Sequence, residues 1–527
     1  MRTFNTTGQC DPELHYMLPA QARLPKARGL IEQGLYFVVH APRQTGKTTT
    51  LTALADALSA ENEQVAVLVS CETAQVAGDD YSAAEDIVLY SIREAVLDRD
   101  YPESWLPPSV WPDAPPGTKI KAGLRAWARQ CPVPIVLLLD EVDAMHGQSM
   151  MTLLRQLRDG FRVRPKGFPA SVVLSGLRDI REYKAASGGD PARLGGASPF
   201  NIAVDSMRIG DFSVDDIAAL YGQYTTDSGQ PFTEDALQRV FAYSAGQPWL
   251  VNAIARQILV EIEVRPPVPI TADHIDEATR RLIDGRAVHL DSVVAKLAEP
   301  RVRRIVEPLI AGLLPEVDPS YNDDVAYVRD LGLIARDSPV AVANPIYREV
   351  LARVLAQPVM DMVTDSPRSF ILSDGRIDLD KLLREFVAFW REKGAMMAVG
   401  RGYNEAGAQL VLLGYLYRIV NGGGFVDSEY GVGTGRVEIF LRKPYTGTDG
   451  KRAVQREAME LKVWWPGRED PVDEGLDQLD SYLAGVGLET GTLVIFDRRP
   501  GAAPLSERGV FTEEVTAEGR KVQLLRI

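Results

Sequence analysis

Four short apolar runs, Leu35 to His40, Val65 to Val69, Ile135 to Leu139 and Val172 to Leu174, alternate with stretches whose apolar residues recur at helical spacing. Uninterrupted runs of this length predict parallel strands buried on both faces, hence an α/β sheet domain over residues 1–205. From Phe212 the pattern turns helical. Ser213, Thr233 and Thr271 stand at N-cap positions and Gly246 at a stop, which predicts a helical lid over 206–285. Over 286–360, two helical stretches lead into Leu331 to Ala343, two apolar strands around an Asp-Ser-Pro turn, the pattern of a winged helix. Residues 361–380 are polar, with Pro and Gly, and read as a linker. Residues 381–527 then form a separate α/β domain. It has a helix over Asn404 to Leu416, a hairpin of Arg436 to Lys443 and Ala453 to Trp465, and a buried strand over Leu493 to Asp497.

Chemistry enters at the end of the first run. Ala41-Pro42-Arg43-Gln44-Thr45-Gly46-Lys47-Thr48-Thr49 matches the phosphate-loop pattern GxxxxGK[ST], with Ala41 in place of the first glycine. Backbone N–H groups at a helix N-terminus suit phosphates, Lys47 suits β and γ oxygens, and Thr48 suits Mg²⁺. The third run delivers Asp140 and Glu141 at its C-terminal end, the first placed to ligate Mg²⁺ and the second to polarise water. Ser175 ends the fourth run and takes a sensor role beside the attacking water, with a solvated strand-end serine as the alternative. Arg178 or Arg181 could reach a neighbouring subunit's γ-phosphate in a homo-oligomer.

These pieces, with Leu177-Arg-Asp-Ile-Arg-Glu-Tyr, Ser198-Pro-Phe-Asn-Ile and Gly246-Gln-Pro-Trp-Leu-Val-Asn-Ala, resemble the bacterial AAA-like ATPases related to origin-recognition and STAND-type ATPases, over residues 1 to 360. The resemblance implies an AAA-type ATP site in which His15 and Tyr16 approach the adenine. It also implies that Gly246 to Trp249 couple lid to nucleotide, although the residue pattern favours Trp249 as lid core.

The C-terminal pattern carries a second chemistry. Because strand side chains alternate, Glu460 and Lys462 share one face, Glu438 can meet them from the partner strand, and Glu405 stands near the start of the preceding helix. Three carboxylates and a lysine on one face are costly unless one or two Mg²⁺ ions, or Mn²⁺, compensate them, which points to phosphodiester hydrolysis. The stretch 380 to 500, with Asn421-Gly-Gly-Gly, Glu429 to Glu438, Glu460-Leu-Lys462 and Gly475 to Tyr482, resembles the PD-(D/E)XK nuclease superfamily. That resemblance implies that Gln478 and Tyr482 line the site. Glu438 stands where the superfamily has aspartate.

Composition narrows the partners. A net charge of −14, from 58 basic and 72 acidic residues, excludes a protein that coats nucleic acid non-specifically, so any such contact is local. The helix before the wing, Asn322 to Leu331, holds three aspartates and one arginine, which favours a protein-packing brace over a groove reader. Three widely spaced cysteines and no apolar run near ~20 residues fit a cytoplasmic protein without disulfides. The expectation is ATP-controlled, Mg²⁺-dependent hydrolysis of nucleic acid, with DNA the expected substrate and phage or mobile-element defence the setting. The alternatives are a nucleotide-dependent switch or scaffold with an inactive nuclease fold, and a sensor that binds ATP but scarcely hydrolyses it.

Overall fold

The computed structural model describes all residues except Met1, 178–201, 286–287, 311–321, 338, 395–406, 421–423, 433–434, 448–449 and 505–506. Within helices and strands it leaves aside the side chains of 20–21, 288, 394, 407, 427–432 and 435–438. The chain divides into two compact units, Met1–Leu282 with Ser320–Gly332, and Ile283–Pro319 with Leu333–Ile527.

The first unit is built on β1 (Tyr36–His40), β2 (Val65–Ser70), β3 (Ile135–Asp140), β4 (Ser171–Gly176) and β5 (Ala203–Arg208), in the order β2-β3-β4-β1-β5 with every pair parallel. Period-two alternation sends Ile135, Leu137 and Leu139 to one face and Val136 and Leu138 to the other. The first face meets α2 (Tyr81–Leu97), α3 (Lys119–Gln130) and α4 (Gly147–Gly160) through Ile92, Trp127 and Leu157, while α1 (Lys47–Ala60) covers the second through Leu51, Leu54 and Leu58. The sheet runs past the expected boundary at 205. Its last strand is a half-exposed edge, AVDSMR, whose polar residues hide it from an apolar-run search.

Helices α5 (Val214–Ser228), α6 (Glu234–Ser244), α7 (Pro248–Arg256) and α8 (Ala272–Asp284) follow. Ser213 and Asp216 form a reciprocal capping box at the start of α5. The turn before α7 closes on that cap, with Phe212 N–H donating to the Gly246 carbonyl at 2.7 Å. Gly246 has φ +79°, and a Cβ there would fall 1.8 Å from the Phe212 carbonyl oxygen. Gly246→Ala should therefore cost more than the about 1–2 kcal/mol of a left-handed non-glycine residue. A melting temperature lowered by at least about 2–4 °C checks it, and an unchanged one refutes it. The helix Asp323–Asp330 also belongs to this unit. Arg208 reaches the Arg329 carbonyl at 3.4 Å, and a Cβ on Gly332 would lie 2.7 Å from Pro42 Cβ, so this acidic helix ends against the phosphate-loop segment.

The second unit holds α9 (Val288–Lys296), α10 (Pro300–Ile310), α11 (Pro345–Met360), α12 (Leu379–Phe389) and α13 (Gly407–Val420), then β6 (Phe425–Val432), β7 (Gly435–Thr446), β8 (Arg452–Trp464), α14 (Val472–Val486), β9 (Thr490–Asp497), β10 (Val510–Val515) and β11 (Lys521–Arg526). The sheet order is β10-β11-β9-β8-β7-β6. β6, β7 and β8 form an antiparallel meander, β9 lies parallel to β8, and α14 makes the crossover between them. Leu479 and Leu483 of α14 pack on Leu493 and Ile495 of β9. Three strands thus stand where a hairpin was expected, because Phe425–Val432 carries Asp, Ser and Gly that read as turn.

The stretch expected as a wing forms a short bridge, Ile334 to Val342. The stretch expected as a linker is held in place: Phe370 and Ile377 are buried, and the Gln455 side chain of β8 bonds both the N–H and the carbonyl of Ile377. Two apolar anchors within a polar segment suffice for that. The α11 and α13 helices meet through a buried Tyr417 hydroxyl donating to Glu349 at 3.0 Å. Among the described residues, no helix is long and apolar enough to cross a membrane.

Candidate functional site

The strand order sets the first site. β4 lies between β1 and β3, so the phosphate-loop segment, Ser175 and Asp140 converge at the C-terminal edge of the sheet, where open α/β sheets bind ligands. Left-handed backbone is taken by Gln44 (φ 60°) and Gly46 (φ 82°), whereas Ala41 lies outside that region. This explains why alanine is accepted at position 41. The residue is fully buried, its N–H pairs with the Gly176 carbonyl at 3.3 Å, and its carbonyl accepts from Lys47 Nζ at 2.9 Å. Desolvation pulls the half-buried Lys47 below the ordinary lysine value, while Asp140, Asp143 and Glu141 hold it up. A cation beside three acids at a helix N-terminus is a suitable receptor for phosphate oxygens.

Asp140 is buried and fully engaged. Its Oδ2 accepts from Thr48 Oγ1 at 2.7 Å, and its Oδ1 accepts from Ser175 Oγ at 2.7 Å. Thr48 and Asp140 thus stand side by side as a hydroxyl and a carboxylate, hard oxygen donors that fit Mg²⁺. Ser175 touches Asp140 directly and is buried, so a solvated strand-end serine is excluded. Glu141 adopts φ 54°, an uncommon value for a non-glycine residue and one that clusters at functional positions. Its carboxylate accepts from Ser70 Oγ at 2.9 Å, and desolvation raises its pKa above the glutamate value while Ser70 opposes the rise. Ser70 was not legible as a site residue: only the β2–β3 pairing, which sets Ser70 opposite Asp140, reveals it.

Behind the loop, Thr45 Oγ1 donates to the Pro42 carbonyl at 2.8 Å, and Arg23 donates to the Thr45 and Gly210 carbonyls at 3.2 and 2.7 Å. Arg43 is exposed. Thr49 accepts from the Cys10 N–H at 3.1 Å, tying the N-terminal segment to the loop. A cavity of about 120 Å³ opens between the loop, that segment and helices α5 and α7. Tyr16 lines it, although its ring packs against Phe4 and Tyr224 and its hydroxyl donates to Asp227 at 3.2 Å. His15 is outside this lining; its Nδ1 accepts from the Asp11 N–H at 2.9 Å. Trp249 lines the cavity and bonds the Thr6 carbonyl at 2.8 Å, and Gln247 reaches the Gln44 carbonyl at 3.4 Å. Arg178 and Arg181 lie outside the described residues.

The second unit gathers part of its expected cluster. Glu460 is buried, Lys462 Nζ lies 3.2 Å from its Oε1, and both stand on β8 in register with Leu493 and Ile495 of β9. From α14, Gln478 Oε1 accepts from Lys462 Nζ at 2.5 Å. The same helix brings Glu474, 3.2 Å from Lys462, an exposed acid that nothing in the sequence distinguished from a solvated one. Tyr482, partly buried one helical turn beyond Gln478, packs against the apolar cluster under the sheet. The β7–β8 register, Ile439 to Met459, carries the backbone of residue 438 toward 460, but the Glu438 side chain and all of Glu405 fall outside the described set. Among the described residues, no group of three His, Cys, Asp or Glu side chains is placed to hold a metal ion.

Comparison with known proteins bears on the first unit. The family described as AAA domain matches residues 31–183. Among solved structures, the chain is similar to the Walker-type ATPase of Pyrococcus abyssi, with 14% identity, 66% of this chain and 99% of that chain covered, and a TM-score of 0.46. It is also similar to the Aeropyrum pernix ORC2 protein in its ADPNP–ADP complexes, with 13% identity, 64% and 91% covered, and a TM-score of 0.36. The Thermotoga maritima RuvB Holliday junction branch migration motor gives 14% identity, 63% and 93% covered, and a TM-score of 0.33. No curated protein matches. The family match ends at residue 183, and the C-terminal mixed sheet carries no family assignment. The phosphate loop, the acidic end of β3 and that match together make residues 31–183 an AAA-type P-loop ATPase domain.

Proposed function

We propose that this chain is an ATP-controlled, divalent-cation-dependent nuclease, with nucleotide turnover in the first unit licensing phosphodiester hydrolysis in the second. The observation that carries the nuclease half is the buried Glu460 with Lys462 and Gln478 gathered on it by a strand–helix–parallel strand crossover. In this reading Glu460 and Glu438 hold the cation, which supplies Lewis-acid activation of water. Lys462 steadies developing negative charge, Gln478 fixes the lysine, and Glu405 lends a further carboxylate. In the first unit, Thr48 and Asp140 hold Mg²⁺, Glu141 orients water, Ser175 fixes Asp140, and Arg178 or Arg181 acts across a subunit contact. Residues 206–285 serve as lid, 286–360 as winged helix, and 381–527 as the nuclease-like domain. DNA is the substrate class, reached by a local surface on an acidic chain of the cytoplasm, in a setting of phage or mobile-element defence.

The test is purified full-length chain incubated with supercoiled plasmid, single-stranded DNA and RNA, with Mg²⁺ or Mn²⁺ and with or without ATP. Nicking that needs both cation and nucleotide is the expected result. No cleavage in any arm would remove the nuclease and leave a nucleotide-dependent switch or scaffold, a reading favoured by one observation: Lys462 already compensates the Glu460 charge.

The ATPase half has its own signature. Glu141 serves water only when ionised, and its raised pKa moves the acid limb of hydrolysis above the usual glutamate range. The Ser70 hydroxyl favours the ionised form, so Ser70→Ala should raise that pKa further and shift the limb of the kcat/KM profile to higher pH. A limb that stays in place or moves down would remove Glu141 from this role.

A further inference from the structure

The cavity beside the P-loop has walls of one kind and a floor of another. Met17, Phe212, Leu220 and Trp249 offer apolar and aromatic surface suited to a flat ring, while Gln44 to Gly46 and Thr49 lead to the phosphate-binding turn. Asn252, in the second turn of α7, lines the same cavity and is only 9% exposed. Its Nδ2 donates to the Pro248 carbonyl one turn back at 2.8 Å, which fixes the amide orientation, and its Oδ1 is buried without a hydrogen-bond partner. A buried acceptor left unmade forfeits its hydration, so such a group calls for a donor from whatever fills the cavity.

We propose that Asn252 selects the nucleobase: its Oδ1 accepts from the exocyclic 6-amino group of adenine and thereby rejects 6-oxo purines. The proposal rests on the ATPase reading of this domain and adds the residue that reads the base. Adenine presents a donor at position 6 where guanine and hypoxanthine present an oxygen acceptor, which would face Oδ1 lone pair to lone pair. Rotating the amide to offer Nδ2 instead would break its bond to Pro248 and set Oδ1 against that carbonyl. Sites built to pair a polar group discriminate strongly against analogues that leave it unpaired.

The experiment compares binding of ADP, IDP and GDP to the full chain by calorimetry, with inorganic tripolyphosphate as a base-free probe of the loop. Wild type should bind ADP roughly 10- to 100-fold more tightly than IDP, the analogue that alters the 6-position without adding the 2-amino group of guanine. Asn252→Leu and the smaller Asn252→Ala should collapse that ratio to within about threefold while leaving tripolyphosphate affinity unchanged. A wild-type ADP to IDP ratio near one overturns the assignment and spares the P-loop reading. Discrimination retained in both variants overturns it as well. Failure of every nucleotide and of tripolyphosphate to bind overturns the P-loop reading, and the assignment with it. If Asn252→Leu does not fold, Asn252→Ala, which only truncates the side chain, carries the comparison.

Discussion

Lys47→Ala is expected to weaken ATP binding by roughly 100- to 1,000-fold and to abolish hydrolysis, the largest effect of any single change in the first unit. Hydrogen bonds to charged groups contribute about 1.5–3 kcal/mol each, and Lys47 is placed to make two, to the β and γ oxygens. The loss reaches the free protein too. Removing the ammonium leaves the Ala41 carbonyl without its donor and leaves Asp140, Asp143 and Glu141 without the cation that faces them. The free variant should therefore melt somewhat lower, and the measurement that isolates the ligand contribution is the ATP-dependent rise in melting temperature. Ligand at one hundred times its Kd stabilises by about 2.7 kcal/mol, and that increment should fall to about 0.4 kcal/mol or less in the variant at the same concentration. Lys47→Arg is not a rescue, because a planar fork does not replace a point charge reaching between the loop and its own carbonyl. A variant that binds ATP within threefold of wild type would take Lys47, and the phosphate-loop reading, off this site.

What could be read in advance divides along physical lines. The strands β1, β3 and β4 are buried on both faces, so composition alone exposes them, and the polar residues that end them, His40, Asp140 and Ser175, mark the edge where ligand chemistry gathers. β5 and β6 lie at sheet edges, where one side needs no apolar partner and the alternation dissolves into Asp, Ser and Gly. Tyr16 and Trp249, which line the cavity beside the P-loop, were reachable only through the family resemblance, for another reason. The Trp249 to Thr6 bond joins positions 243 residues apart, and the Tyr16 to Asp227 bond joins positions 211 apart, separations at which sequence pattern holds no register. Ala41 shows the converse. It stands where the pattern has glycine, yet the backbone takes its left-handed turns at Gln44 and Gly46, so the consensus position imposes no demand on φ here.

In the second unit the largest expected effect is on cleavage, and the two members of the buried pair should fail in different ways. Glu460→Gln keeps the shape and an acceptor for Lys462 while removing the charge a cation needs, so nicking should fall by about 10³-fold with the fold intact. Lys462→Met removes the ammonium 3.2 Å from Glu460, a carboxylate only 1% exposed, and neither Gln478 nor Glu474 can supply a positive charge in its place. Stranding one member of a buried ion pair costs about 3–5 kcal/mol, enough to lower the melting of this unit visibly. These opposed signatures separate a metal-dependent site from a structural pair. If Glu460 holds a divalent ion, added Mn²⁺ should restore much of the lost melting temperature in Lys462→Met, since the ion substitutes for the missing ammonium, and should restore none in Lys462→Met combined with Glu460→Gln. If Mn²⁺ leaves the single variant as unstable as it found it, the lysine is only a counterion to a buried acid, and the sheet serves binding instead of hydrolysis.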